Sequence, residues 1–562
     1  MDQEPRRRPA GEAGQSIGRL TLPIQTGMDD QVRSLIARLG ADAVRNSDGT
    51  DLPELAAELD AKVYATYFVG RGDQEWALSH PEQRTRLYLM SERVPAATDG
   101  ELVIAVMSGW FAEQVTPDLE CDIGRWWQVI DRSTGETVPA TGWRVDGSHA
   151  ETVVRIAAAR AGHVYTVNFL AVQVWDPTQM HNYLTNDWAQ DPARIKESPY
   201  DVRHPETWGH VQRSLETWLD AHPEVDVVRF TTFFYHFTLV FGATGRERFV
   251  DWFGYTASVS VPAMEAFEAE FGYPLTPEDF VDQGYYNSSF RPPSRVFRDW
   301  IAFQHRFVTD RVATLVAQVH ARDKQAMMFL GDNWIGTEPY GPLFAGTGMD
   351  AVVGSVGSGA TCRMIADIPG VRYTEGRLLP YFFPDVFRPG GDPVAQADEC
   401  WLAARRAIVR SPLDRIGYGG YLSLALEHPD FIDRTERIVG EFRSLHDRTA
   451  GERPENAPFK VGVLNAWGQA SHLADPHGRA CTVVPAGLHL SGRGGGTVRA
   501  ALRGDLPELR RHPRRGAWRH RRPDQRGCCA HRLLRWPRVG RSATGRRGPQ
   551  LRRRRWRSHR DR

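Results

Sequence analysis

The chain has 562 residues, 41% of them apolar, and a formal net charge of +1, so it is long enough for two or more domains. The near-zero charge conceals two opposed parts: residues 473–562 carry 25 Arg, no Lys and 5 acidic residues, and residues 1–472 carry 45 basic and 64 acidic ones. The acidic body excludes a general attraction to nucleic acid or to an anionic membrane, and no run of about 18 apolar residues exists to span a bilayer.

Residues 1–17 are polar, include Arg6-Arg7-Arg8 and lack an apolar core segment, so they read as a disordered N-terminus without a signal peptide. Residues 18–450 read as one body of alternating strands and helices. Asp42 to Gly49 is a short strand closed by a polar turn, and Leu102 to Met107 is an apolar run. Between about 125 and 175, β-rich segments and turn signals such as Ser133-Thr-Gly point to a small β insertion. Val225 to Phe234 is a strong strand. Ser294 to Arg322 is a long amphipathic helix, with Ser294 as its N-cap and apolar residues from Phe297 to Val319 recurring at helical spacing. Ala326–Leu330, Ala351–Ser355, Val371–Thr374 and Arg415–Tyr421 are further strands.

This alternation predicts an α/β fold, a (β/α)8 barrel with a small β insertion; a doubly wound sheet is the competing arrangement. Residues 458–470, beginning near Phe459-Lys-Val-Gly-Val, predict the first strand of a second α/β domain. Residues 471–562 form an Arg-rich tail. After Asn465 there is no Phe, Tyr, Met, Ile, Asn or Lys, the residues of AT-rich codons, and hydrophobic periodicity stops. We read the tail as an out-of-frame translation of a GC-rich gene; the competing reading is a nucleic-acid-binding arm, though such arms usually mix Lys with Arg. If neither alternative frame of the coding DNA continues an α/β pattern, the out-of-frame reading fails. The six cysteines show neither metal spacing nor a disulfide framework, which suits a reducing cytoplasm.

Candidate chemistry gathers just after the strands. The run ending at Leu330 is followed by Gly331-Asp332-Asn-Trp-Ile-Gly-Thr-Glu338-Pro-Tyr340. A carboxylate after a buried strand, walled by aromatics that raise its pKa, suits a catalytic acid acting on a sugar; a loop Asp that caps the next helix is the plainer alternative. Arg45 opens Arg-Asn-Ser-Asp-Gly-Thr50, which also reads as an ordinary turn. Trp175 to Asn182 and Asn186-Asp-Trp188 combine amides and aromatics suited to sugar hydroxyls and ring faces, though Asn182 also fits a helix cap. Arg229, in an apolar strand, needs a salt-bridge partner or an anionic ligand. In Thr374-Glu375-Gly-Arg377-Leu-Leu-Pro-Tyr381-Phe-Phe383, Arg377 pairs with Arg229 as an anion clamp. Tyr381 and Phe383 either bound a sugar or pack in the core. The Gly354-Ser355-Val-Gly357-Ser-Gly359 loop offers backbone N–H groups to an anion.

These segments, with Gly40–Thr50, Leu184–Trp188, Val227–Phe234 and Asp251-Trp-Phe-Gly254, resemble the 1,3-β-galactosyl-N-acetylhexosamine phosphorylases, the lacto-N-biose/galacto-N-biose phosphorylases of glycoside hydrolase family 112. The resemblance runs from about Gly18 to Trp467 and stops short of the family's further domains. It implies cleavage of a β1,3-linked galactoside by inorganic phosphate, giving α-galactose 1-phosphate and N-acetylhexosamine, with phosphate as co-substrate and no cofactor or metal. By residue, it implies Asp332 as proton donor and Arg45, Asn182, Tyr381 and Phe383 around the galactose. It assigns Arg229 and Arg377 to phosphate and Thr178 to the hexosamine end; Ser355 and Gly357 join the phosphate set from the reading of their Gly-rich loop. Glu338 and Glu375 are grouped with the sugar-binding residues. In a competing reading, a retaining β-galactosidase, Asp332 or Glu338 is the acid and Glu375 the nucleophile; a further one is a non-catalytic product of a broken gene. The expected partners are the disaccharide and phosphate, without nucleic acid or membrane. A homodimer is compatible with the chain if the missing continuation is not needed for it.

Overall fold

The computed structural model describes residues 18–449, apart from 48–50, 71–72, 177–195, 232, 235–237, 252–253, 289–291, 331–340, 357–358, 367, 379–385, 388–389, 410–411 and 419, together with 473–474 and 480–481. Short strands with strict two-residue alternation dominate its centre. They are β1 (Leu20–Ile24), β2 (Ala43–Asn46), β3 (Lys62–Tyr67), β4 (Val227–Phe230), β5 (Gln325–Leu330), β6 (Ala351–Ser355), β7 (Tyr373–Arg377) and β8 (Arg415–Gly417). Each pairs in parallel with the next, and β8 returns to β1, where Leu20 lies opposite Ile416. The sheet is therefore a closed barrel, and the doubly wound alternative is excluded.

Closure explains why these strands are buried on both faces. Alternate residues such as Leu22, Val44, Val228, Met328 and Val352 point outward into one apolar layer with the surrounding helices. The others point inward, among them Ala43, Tyr64, Val227, Met327, Phe329, Ala351 and Val353. The helix Arg295–His320 shows how sequence sets an outer element. Ser294 caps it by accepting the Phe297 N–H at 3.0 Å, and its C-terminal half buries Val308, Val312, Leu315 and Val319 against the barrel layer. Asp332 follows β5, the strand this helix leads into.

A second core lies beside the barrel. The antiparallel strands that build it extend over 86–173, a wider span than the expected 125–175, and they enter between β3 and β4. Tyr88, Trp110, Trp127 and Phe169 pack there with Phe267, Phe280 and Trp300 from the β4–β5 connection. Phe280 meets Trp300 edge to face at 5.1 Å. The run 102–107 belongs to this region, in strand Gly100–Ala105, which pairs with Val153–Ala159.

Among the described residues, no helix is long and apolar enough to cross a membrane, and no group of three His, Cys, Asp or Glu is placed to hold a metal ion. The N-terminal residues 1–17 and the expected strand at 458–470 lie outside the described residues. So does the tail, except for the pairing of Leu473–Ala474 with Ala480–Cys481.

Candidate active site

The inward residues stack in tiers from the N-terminal to the C-terminal end of the barrel. Near the N-terminal end, Lys62 donates to Gln325 at 2.5 Å, and the Tyr64 and Tyr373 hydroxyls lie 3.2 Å apart. Burial pushes the Tyr373 phenol up to about 12 and Tyr64 in the same direction, so both remain neutral.

The next tier is ionic. Arg415 forks onto Asp42 at 2.7 and 3.0 Å, and its Nε lies 3.6 Å from a Glu375 carboxylate oxygen. That same oxygen accepts a 2.6 Å hydrogen bond from the Thr21 hydroxyl. Burial works to raise the Asp42 carboxyl, but the Arg415 hydrogen bond and charge outweigh it and hold the group below the usual carboxylate range. Gly417 makes room for this arrangement: a Cβ there would sit 3.0 Å from a Glu375 oxygen and 3.1 Å from the Thr21 carbonyl. Glu375 thus lies buried in an ion pair and a hydrogen bond, in the tier below Arg377.

The mouth tier carries the anion-binding candidates. Arg45, Arg229, Ser355 and Arg377 occupy the last or penultimate positions of β2, β4, β6 and β7, and each is no more than 3% exposed. Ser355 and Arg377 are direct register partners on adjacent strands. Arg45 donates to the Asn46 and Tyr418 carbonyls at 2.8 and 3.2 Å. Arg229 donates to Thr66 at 2.5 Å. Its guanidinium carbon is 5.8 Å from the centroid of the Phe329 ring, and that of Arg377 is 4.2 Å from the same centroid. The two guanidinium groups expected to act together therefore share one aromatic ring. Among the described residues, Arg377 Nη2 and Ser355 Oγ are buried without a hydrogen-bond partner. Burying a cationic donor and a hydroxyl in that state is costly unless an acceptor arrives, and the acceptor that suits a guanidinium is an anion.

The other expected site residues, Thr178, Asn182, Asp332, Glu338, Gly357, Tyr381 and Phe383, lie outside the described residues. β5 ends at Leu330, two positions before Asp332. Phe329 lies in the apolar run Ala326–Leu330, three residues before Asp332, and as an uncharged residue it has no chemistry that marks it in the sequence. The signal that locates it is the two-residue alternation of β5, which turns Met327 and Phe329 inward.

A sequence model described as the lacto-N-biose phosphorylase N-terminal TIM barrel domain matches residues 18–457. A 1,3-β-galactosyl-N-acetylhexosamine phosphorylase of Lachnoclostridium phytofermentans is 50% identical over 452 residues, which cover 80% of this chain and 62% of that protein. The enzyme of the same name from Bifidobacterium longum subsp. longum is 49% identical over 454 residues, 81% of this chain and 60% of the relative. A D-galactosyl-β-1→4-L-rhamnose phosphorylase of Lachnoclostridium phytofermentans is 34% identical over 459 residues, 80% and 62% of the two chains. The chain therefore spans about three fifths of the length of these relatives. With a closed parallel barrel over the matched residues and polar groups converging on its C-terminal mouth, the chain belongs to the family of the lacto-N-biose phosphorylase N-terminal TIM barrel domain.

Proposed function

We propose that this protein catalyses the phosphorolysis of a β1,3-galactosyl-N-acetylhexosamine, releasing α-galactose 1-phosphate and N-acetylhexosamine with inversion. The observation that carries the reading is the placement of Arg229 and Arg377 on one Phe329 ring at the barrel mouth, with Asp332 two residues beyond the end of β5. Inorganic phosphate binds as an anion to Arg229 and Arg377, with Ser355 as a further donor. Its oxygen attacks the anomeric carbon from the face opposite the leaving group. Asp332 gives its proton to the bridging oxygen, the C1–O bond breaks, and the hexosamine leaves as a neutral alcohol. Phosphate is the nucleophile, so one protein carboxyl is enough. The guanidinium groups offset the dianion's charge and hold it in line.

A retaining hydrolase would instead need a free carboxylate to attack the sugar. Glu375 is poorly suited to that task, because its carboxylate is occupied by Thr21 and Arg415. The two chemistries part in one assay. The full chain, incubated with lacto-N-biose or galacto-N-biose, is expected to release hexosamine and α-galactose 1-phosphate only when phosphate is added. Release of free galactose in phosphate-free buffer would favour hydrolysis, and no product in either buffer would favour a non-catalytic chain.

A further inference from the structure

We propose that Phe329 is a positioning residue that sets the spacing of the two phosphate-binding guanidinium groups; the inference rests on the phosphorolysis reading above and deepens it. Two cations brought to one small anion repel each other before the anion arrives, and in a buried site little water screens them. The barrel places an aromatic ring in contact with both. Arg377 lies 4.2 Å and Arg229 5.8 Å from the Phe329 centroid, both within the range in which the negative face of an aromatic ring attracts a cation.

The ring is itself fixed. Phe329 is 2% exposed, and its backbone lies opposite Val353 in the β5–β6 register. Arg229 is held from the other side by Thr66, its register partner on β3. Among the described residues Arg377 has no comparable tether: its Nη2 is without a hydrogen-bond partner there, and it makes the closer approach to the ring. Its orientation therefore depends more on Phe329 than that of Arg229 does. Phe329 also stands three residues before Asp332 on the strand that leads to the acid, so one strand carries both the ring that spaces the anion clamp and the run into the proton donor.

The test replaces Phe329 in the full chain with 4-fluoro-, 3,5-difluoro- and 3,4,5-trifluorophenylalanine, and separately with Leu. Fluorination drains the ring face of negative charge with little change of shape, so folding is preserved. Steady-state kinetics with the β1,3-galactosyl-N-acetylhexosamine are expected to show the phosphate KM rising stepwise along the series, reaching roughly tenfold in the trifluoro variant. The disaccharide KM should stay within about twofold, and Phe329→Leu should match or exceed the trifluoro effect on phosphate. A flat fluorine series, or a Phe329→Leu variant that weakens both substrates equally, would overturn the positioning role and leave Phe329 as core packing. If the unsubstituted protein cleaves the disaccharide without any dependence on phosphate, the phosphorolysis reading itself falls, and this inference with it.

Discussion

Asp332→Asn is expected to lower kcat for the natural disaccharide by about 10²–10⁴-fold, the range a positioned general acid contributes, while the phosphate KM changes little. The reasoning begins with the leaving group. The hexosamine hydroxyl is a poor leaving group as an alkoxide, and an amide has no proton of suitable acidity to give it. β5 is hydrogen-bonded on both sides, to β4 and to β6, and its last residues Phe329 and Leu330 are buried, so the chain reaches position 332 from a rigid, apolar strand end. The check is a pair of substrates. A β-galactoside whose leaving group is a weakly basic phenolate needs little protonation, so the variant's deficit should shrink markedly with it. Equal deficits on both substrates, or near-normal turnover of the disaccharide, would remove Asp332 from the acid's role.

Much of the barrel was legible because its signals are local. The bounds of β6 match the apolar run Ala351–Ser355, and the long helix begins at Arg295, directly after the Ser294 cap. The β insertion was harder. Leu102-Val-Ile-Ala looks like a fully buried strand, yet in the folded chain the faces alternate, with Ile104 buried and Val103 41% exposed. A short apolar run alone does not distinguish a barrel strand from one face of a small antiparallel sheet. The ionic tier was not legible at all. Asp42 and Arg415 are 373 residues apart in sequence, and only closure of the barrel between β8 and β1 brings them together. The same closure makes Glu375 a buried structural carboxylate, although its motif suggested contact with substrate. Arg229 is legible as a cation in an apolar strand, an arrangement that demands an acceptor, and Arg377, at the end of Tyr373-Thr-Glu-Gly-Arg, reads as its partner in an anion clamp. The ring that joins them carries no charge and gave no comparable signal.

Arg377→Ala is expected to raise the phosphate KM by roughly 10–100-fold, the equivalent of losing one hydrogen bond to a charged group at about 1.5–3 kcal/mol. The disaccharide KM should change much less, since the sugar is held by other groups. Of the mouth cations, Arg377 is the one whose loss bears most directly on the anion. Among the described residues its Nη2 is buried without a partner, so its removal breaks no hydrogen bond made by that atom to them, and Ser355, its register partner, has an equally unengaged hydroxyl. Arg229 is a less clean probe, because Arg229→Ala would also strip Thr66 of its 2.5 Å donor. Arg377→Lys should recover only part of the loss. An ammonium keeps the charge, but it cannot present two parallel N–H groups to two phosphate oxygens. Sulfate should compete with phosphate in the unsubstituted protein and lose that ability in parallel in Arg377→Ala, because both anions present the same tetrahedral oxygens to the same fork. If phosphate dependence and sulfate inhibition are unchanged in Arg377→Ala, Arg377 does not hold the nucleophile, and the anion clamp at the barrel mouth has to be sought elsewhere.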